Sequence, residues 1–147
     1  QLKNLIERVL KQLDLYSEDA VNLLLGTAAQ ESRLGEYIRQ LGNGPALGIF
    51  QMEPTTFRDI MANYLKYKPG LGQKIIALAG TNGLKSEYLE FNLVVAIAFA
   101  RLHYLRVSEK IPNMIDGYAR YWKVYYNTCK GKGTEQEFIE NYKRFVL

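Results

Sequence analysis

This sequence reads as a mainly α domain interrupted by one small glycine-rich loop or hairpin. Three observations carry that reading. Apolar residues recur at helical spacing along most of the chain. The strongly apolar stretch from Leu93 to Ala100 sits in a segment that is hydrophobic nearly all round, as the buried centre of a helical domain is. Only Gly42 to Pro54 breaks the pattern, with three glycines and two prolines in thirteen residues, a composition that no helix accommodates.

Leu2, Leu5, Ile6, Val9, Leu10 and Leu13 make an i, i+3, i+4 stripe, the mark of an amphipathic first helix. Ser17 suits the N-cap of a second, with Glu18 and Asp19 at its positive end. That helix carries Ala20, Leu24 and Ala28 on its apolar face and reaches Gln30, Glu31 and Ser32 before Gly35. A third starts after Pro54, with Phe57, Ile60, Met61, Tyr64 and Leu65 on one side. Residues 68–85 are rich in glycine, lysine and small side chains and read as loop with one short helix around Gln73–Leu78. From Ser86 to Arg106 the pattern is that of one helix, and a further helix follows Pro112. The last opens with the capping box Thr134-x-x-Glu137 ahead of Phe138, Ile139, Tyr142 and Phe145. The glycine-rich stretch suits tight turns, a short hairpin and close backbone approach to a ligand. No repeat, low-complexity run or linker divides the chain, so residues 1–147 read as a single domain.

Composition narrows the function classes. With 147 residues, 48% hydrophobic and 23% charged, the chain is globular rather than disordered, collagenous or coiled-coil. One cysteine, Cys129, leaves no disulfide framework, and with one histidine, His103, no metal site is expected. Both read as structural residues. No apolar run approaches the roughly 20 residues that span a bilayer, so no transmembrane segment is expected. No signal peptide is visible, and the chain opens at Gln1 rather than Met, as it would if a segment had preceded it.

The net charge of +4 is not spread evenly. Residues 1–100 carry ten basic and ten acidic side chains, while residues 101–147 carry nine basic against five acidic. A basic last third favours an anionic polymer, whether nucleic acid, teichoic acid or peptidoglycan, or is simply a solvated surface. No nucleic-acid motif accompanies the charge, so nucleic acid is not the expected partner.

Glu31 is the most informative position. It follows Ala28, Leu24 and Ala20 by three, seven and eleven residues, and so shares their apolar face. A carboxyl group at the end of a buried helix is expected to have a raised pKa, which keeps it protonated near neutrality and able to donate a proton. The alternative is a boundary glutamate paired with a lysine or arginine. Downstream, Tyr121, Trp122, Tyr125 and Tyr126 crowd one segment and cannot all share a helix face, so some are core and some line a groove.

Glu31-Ser32, a spacer, and then Gly44-Pro-Ala-Leu-Gly48-Ile49-Phe50-Gln51-Met52-Glu53-Pro54 resembles the signature of lytic transglycosylases of the soluble-lytic-transglycosylase (SLT) type. There the pattern is Glu-Ser, a spacer, Gly-x-x-Gly-Leu-Met-Gln, an apolar residue, any residue and Pro. Ile49-Phe50 stands here for Leu-Met. A third family motif, Ala-Tyr-Asn before a glycine-containing turn, is matched by Tyr125-Tyr126-Asn127 ahead of Gly131 and Gly133, with Thr128-Cys129-Lys130-Gly131 replacing the usual Ala-Gly-Pro-Gly. Ala96, Ala98 and Ala100 supply the alanine-rich helix that the family has between these motifs. The likeness spans about residues 20–130 and its wording is closest to bacteriophage members.

The resemblance implies a lysozyme-like (SLT-type) domain that cleaves the glycan strands of peptidoglycan without hydrolysis, leaving 1,6-anhydro ends and needing no cofactor. It implies Glu31 as the acid and then the base, with Ser32, Gly48, Ile49, Gln51, Tyr126 and Asn127 as substrate-binding residues. A virion-associated or secreted lysis enzyme acting on the bacterial wall is the source it implies, with other virion proteins as further partners. Two rivals stay open: a muramidase on the same fold, using water and a second carboxylate, and a non-catalytic cell-wall-binding virion module. Glu36, Glu53 and Asp59 are the nearest candidates for a second carboxylate, and each is expected to be solvated. For Ser32 and Gln51 a purely local role, bonding nearby backbone, is the alternative to contact with sugar.

Overall fold

The computed structural model describes residues 1–36, 44–127 and 131–147. The described chain is mainly helical, and its centre is a pair of helices that owe their position to their apolar content. Helix α2 (Glu18–Ser32) is buried at almost every residue from Ala20 to Ala29. It starts where expected: Ser17 Oγ accepts the Ala20 N–H at 3.0 Å. Helix α6 (Leu93–Leu105) is buried continuously from Val95 to Leu102. Neither could stand alone in water, since both are apolar on most sides.

The other helices cover this pair with one face each. α1 (Leu2–Gln12) contributes Ile6, Val9 and Leu10. α3 (Pro54–Asn63) begins on its proline and stacks Phe57 on Phe99 of α6, ring centroids 4.3 Å apart. α7 (Ile115–Trp122) and α8 (Glu135–Phe145) close the remaining side. α8 opens with the expected capping box, in which Thr134 Oγ1 accepts the Glu137 N–H and Glu137 accepts the Thr134 N–H. It lies close against α2 because Gly26 has no side chain; a Cβ there would sit 2.3 Å from Phe138 Cζ.

Two elements depart from the sequence reading. Residues 68–85 hold a full helix, α4 (Pro69–Ala79), rather than a short one. Gly70 and Gly72 weaken its propensity, but Pro69 starts it, Gly80 ends it in the left-handed conformation, and burial of Ile75 against the core holds it. The segment from Ser86 to Arg106 is two helices, α5 (Tyr88–Phe91) and α6, separated at Asn92. Asn92 leaves helical geometry so that its Oδ1 can accept the Val95 N–H at 3.1 Å, which makes it the cap of α6.

The glycine-rich excursion is a tight turn closed by a single antiparallel bridge between Leu47 and Met52. Among the described residues there is no longer strand pairing. After α7 the chain continues as one turn of π-helix, Lys123–Asn127. No helix among the described residues is long and apolar enough to cross a membrane.

Candidate active site

Glu31 stands in the last turn of α2, just before the chain turns out through Arg33 and Leu34 in left-handed geometry. Its Oε2 accepts the indole N–H of Trp122 at 2.9 Å. Burial pushes its pKa from 4.5 up to about 7, against the opposing effect of the Trp122 bond, which favours the charged form. The carboxyl group is therefore half protonated near neutrality and can both give and take a proton. The phenols of Tyr104, which is buried, and of Tyr126, which is partly exposed, lie close enough to feel its charge.

Three hydrogen bonds join segments that are far apart in sequence into one site. Trp122, at the end of α7, reaches Glu31. Ser32 Oγ donates to the Ile49 carbonyl at 2.5 Å, and the Tyr126 hydroxyl donates to the Phe50 carbonyl at 2.6 Å. The end of α2, the glycine-rich turn and the π turn are thus latched together around one carboxyl group. His103 supports this from behind. It hydrogen-bonds the Tyr125 carbonyl at 3.0 Å and stands edge-on to Tyr126, and burial holds its pKa below the usual histidine value.

Three residues expected to touch substrate make architectural contacts. Ser32 is 1% exposed; besides the Ile49 bond its hydroxyl lies 3.1 Å from the Ala28 carbonyl and accepts the Gly35 N–H at 2.9 Å. Ile49 points into the core at 7% exposed, with its carbonyl taken by Ser32. Gly48 has φ +79° and packs so tightly on the Leu89 carbonyl that a Cβ would lie 1.8 Å from its oxygen. Gln51 takes the local option, its Nε2 donating to the Gly48 carbonyl at 2.9 Å, while it remains partly exposed at the turn. Tyr126 and Asn127 are also partly exposed. Asn127 Oδ1 accepts the Lys123 ammonium at 2.7 Å, which also bonds the Gly131 and Gly133 carbonyls. Cys129, Thr128, Lys130 and Gly42 lie outside the described residues.

Trp122 and Lys123 were not legible as site residues. Trp122 belongs to the crowded aromatic segment, but its partner is 91 positions away, and nothing in its local spacing names Glu31. Of the crowded rings, Tyr121 and Trp122 are core and Tyr125 and Tyr126 are partly exposed. The Trp122 ring is itself fixed by packing on Phe138 at 5.4 Å.

The three candidates for a second carboxylate are solvated. Glu36 is 54% exposed and 4.0 Å from Arg33, Glu53 is exposed, and Asp59 is 50% exposed and paired with Arg106 at 2.8 Å. No group of three or more His, Cys, Asp or Glu side chains that could hold a metal gathers among the described residues.

Two substitutions test the assembly. Ser32→Ala leaves the buried Ile49 carbonyl without its donor and should cost ~1–3 kcal/mol, read as a lower urea midpoint; an unchanged midpoint would mean that the turn holds without this latch. Trp122→Phe removes the N–H that favours the carboxylate. The Glu31 pKa should then rise above its present value of about 7, as read by carbon-13 NMR of the side-chain carboxyl. A fall would show that Trp122 raises it.

No protein-family model matches the chain, and no curated protein or solved structure does either.

Proposed function

We propose that the chain is a peptidoglycan lytic transglycosylase on a lysozyme-like helical fold, with Glu31 as its acid and base. The observation that carries this reading is the meeting of the three resembling segments, Glu31-Ser32, Gly44–Pro54 and Tyr126-Asn127, at a single partly buried carboxyl group. The protonated Glu31 gives its proton to the glycosidic oxygen between N-acetylmuramic acid and N-acetylglucosamine, and the bond from that oxygen to C1 breaks. The N-acetyl group of the substrate holds the developing positive charge at C1. The Glu31 carboxylate then takes the proton of the C6 hydroxyl as O6 closes on C1, which restores the acid and leaves a 1,6-anhydro end.

One group that is half protonated near neutrality suits both steps. Hydrolases of the paired type need a second carboxylate about 5–5.5 Å from the first for retention, or ~6.5–9.5 Å for inversion. The solvated state of Glu36, Glu53 and Asp59 favours the one-acid route. The enzyme would meet its glycan strands in the bacterial wall, delivered by a virion or released as a lysis factor.

The products decide. Purified sacculi digested with the protein should yield muropeptides with anhydro ends, identified by mass spectrometry. Reducing ends would overturn the transglycosylase reading in favour of a muramidase, and binding without products would leave a cell-wall-binding module.

A further inference from the structure

Arg101 is the one arginine buried among the described residues, at 9% exposed on α6. Its Nε–H donates to the Leu15 carbonyl at 3.0 Å, and its two amino groups meet no carboxylate among the described residues. Three more exposed arginines do meet a carboxylate: Arg33 with Glu36, Arg106 with Asp59, and Arg120 with Glu109. A buried cation needs pairing or hydrogen bonds. No buried side-chain nitrogen or oxygen among the described residues lacks a hydrogen-bond partner, so the Arg101 amino groups keep contact with solvent in place of a counter-charge. Burial pulls the Arg101 pKa below the usual arginine value, as it does for a cation short of counter-charge.

What Arg101 faces is a cavity. It lines a space of about 300 Å³ bounded by the start of α2, by α6 and by residues 107–111, together with Ser17, Ser108 and Lys110. Because Ser17 and Asp19 also line it, the positive end of the fifteen-residue α2 borders the same space. Leu105, Val107 and Ile111 give it an apolar wall.

Two carboxylates share the lining, and both are engaged elsewhere. Asp19 Oδ1 accepts the Tyr118 hydroxyl at 2.6 Å. The Glu109 oxygens accept Arg120 and, at 2.6 Å, the Tyr125 hydroxyl. They do not neutralise Arg101, yet they limit how much negative charge the cavity tolerates. A single negative charge on a short apolar body fits this balance better than a dianion.

We propose that this cavity binds the carboxylate end of a small molecule or peptide, with the Arg101 amino groups taking the carboxylate, Lys110 and the serine hydroxyls around it, and the apolar wall against the adjoining group. The planar guanidinium fork matches a carboxylate edge, which a lysine ammonium does not.

Titration of the protein with acetate, N-acetylalanine, inorganic phosphate and chloride at matched ionic strength tests this, followed by nitrogen-15 NMR of the Arg101 Nε–H and the Asp19 amide. Both carboxylates should give saturating shifts, N-acetylalanine at the lower concentration and phosphate only at a higher one. Arg101→Lys keeps the charge but should weaken carboxylate binding roughly tenfold; Lys110→Ala, at an exposed position, should weaken it less. Shifts that never saturate, that equal those from chloride, or that are untouched by Arg101→Lys would overturn the site. Phosphate binding more tightly than either carboxylate would overturn the choice of ligand.

Discussion

Glu31→Gln is expected to stop the turnover of sacculi, lowering the rate ~10²–10⁴-fold, the usual worth of a positioned general acid. The amide preserves the shape of the side chain, and its oxygen can still accept the Trp122 N–H that Glu31 takes at 2.9 Å. Loss of activity should therefore come without loss of fold. The same variant should be more stable than the parent at alkaline pH. Burial raises the carboxyl pKa from 4.5 to about 7. Between those values the folded chain keeps a proton that the unfolded chain has released, so parental stability falls as pH rises through that window. Above it the cost is ~3 kcal/mol, at ~1.4 kcal/mol for each tenfold shift of the proton equilibrium, and glutamine carries none of it. Urea unfolding at about pH 4 and about pH 8 separates the cases: the two proteins should agree at the acid end and diverge at the alkaline end. A variant that gains nothing at alkaline pH would show that Glu31 is not held in an apolar place. Activity should follow the same group, with kcat/KM falling as pH rises through about 7. A second limb on the acid side would report another carboxylate and favour the muramidase chemistry.

Local chemistry made most of the helical frame legible. The stripe on α1, the Ser17 cap and the Thr134 capping box are short-range signals, and all three stand in the structure. Where the structure departs from the sequence pattern, a tertiary effect overrides a local one. Gly70 and Gly72 argue against a helix, and α4 forms because Ile75 is buried. The apolar run through residue 92 argues for continuity, and Asn92 breaks it by capping α6. Glu31 stood out because its helical phase put it on the buried face. Trp122 did not, since an indole that bonds a carboxyl group looks, along the chain, like any other core aromatic. Ser32 and Ile49 stand out for their place in the resembling stretch, and the contact they make here is a latch between a helix end and a turn. A sequence pattern records that residues are required, without separating those that hold the site from those that face the ligand.

Gly48 shows how severe that requirement is, and Gly48→Ala should be among the most damaging single changes in the chain. Two independent costs coincide there. The backbone has φ +79°, a region that residues with a Cβ rarely adopt, and holding such a residue there costs ~1–3 kcal/mol. The Cβ would also lie 1.8 Å from the Leu89 carbonyl oxygen and 2.8 Å from its carbon. Those are backbone atoms, so no side chain can swing aside to make room. Either α5 is pushed from its seat, with Leu89 dragged from the core it fills at 2% exposed, or the turn opens. Opening the turn would break the paired bonds between Leu47 and Met52 at 2.9 and 3.2 Å and pull Ile49 and Phe50 from Ser32 and Tyr126. A loss of ~4 kcal/mol or more is expected, at the exceptional end for point substitutions, visible as a collapse of the urea midpoint or as failure to fold. If the turn gives way while the helices survive, the far-ultraviolet circular dichroism should stay near that of the parent while turnover disappears. A variant of near-parental stability and activity would mean that the turn does not pack against α5 in this way.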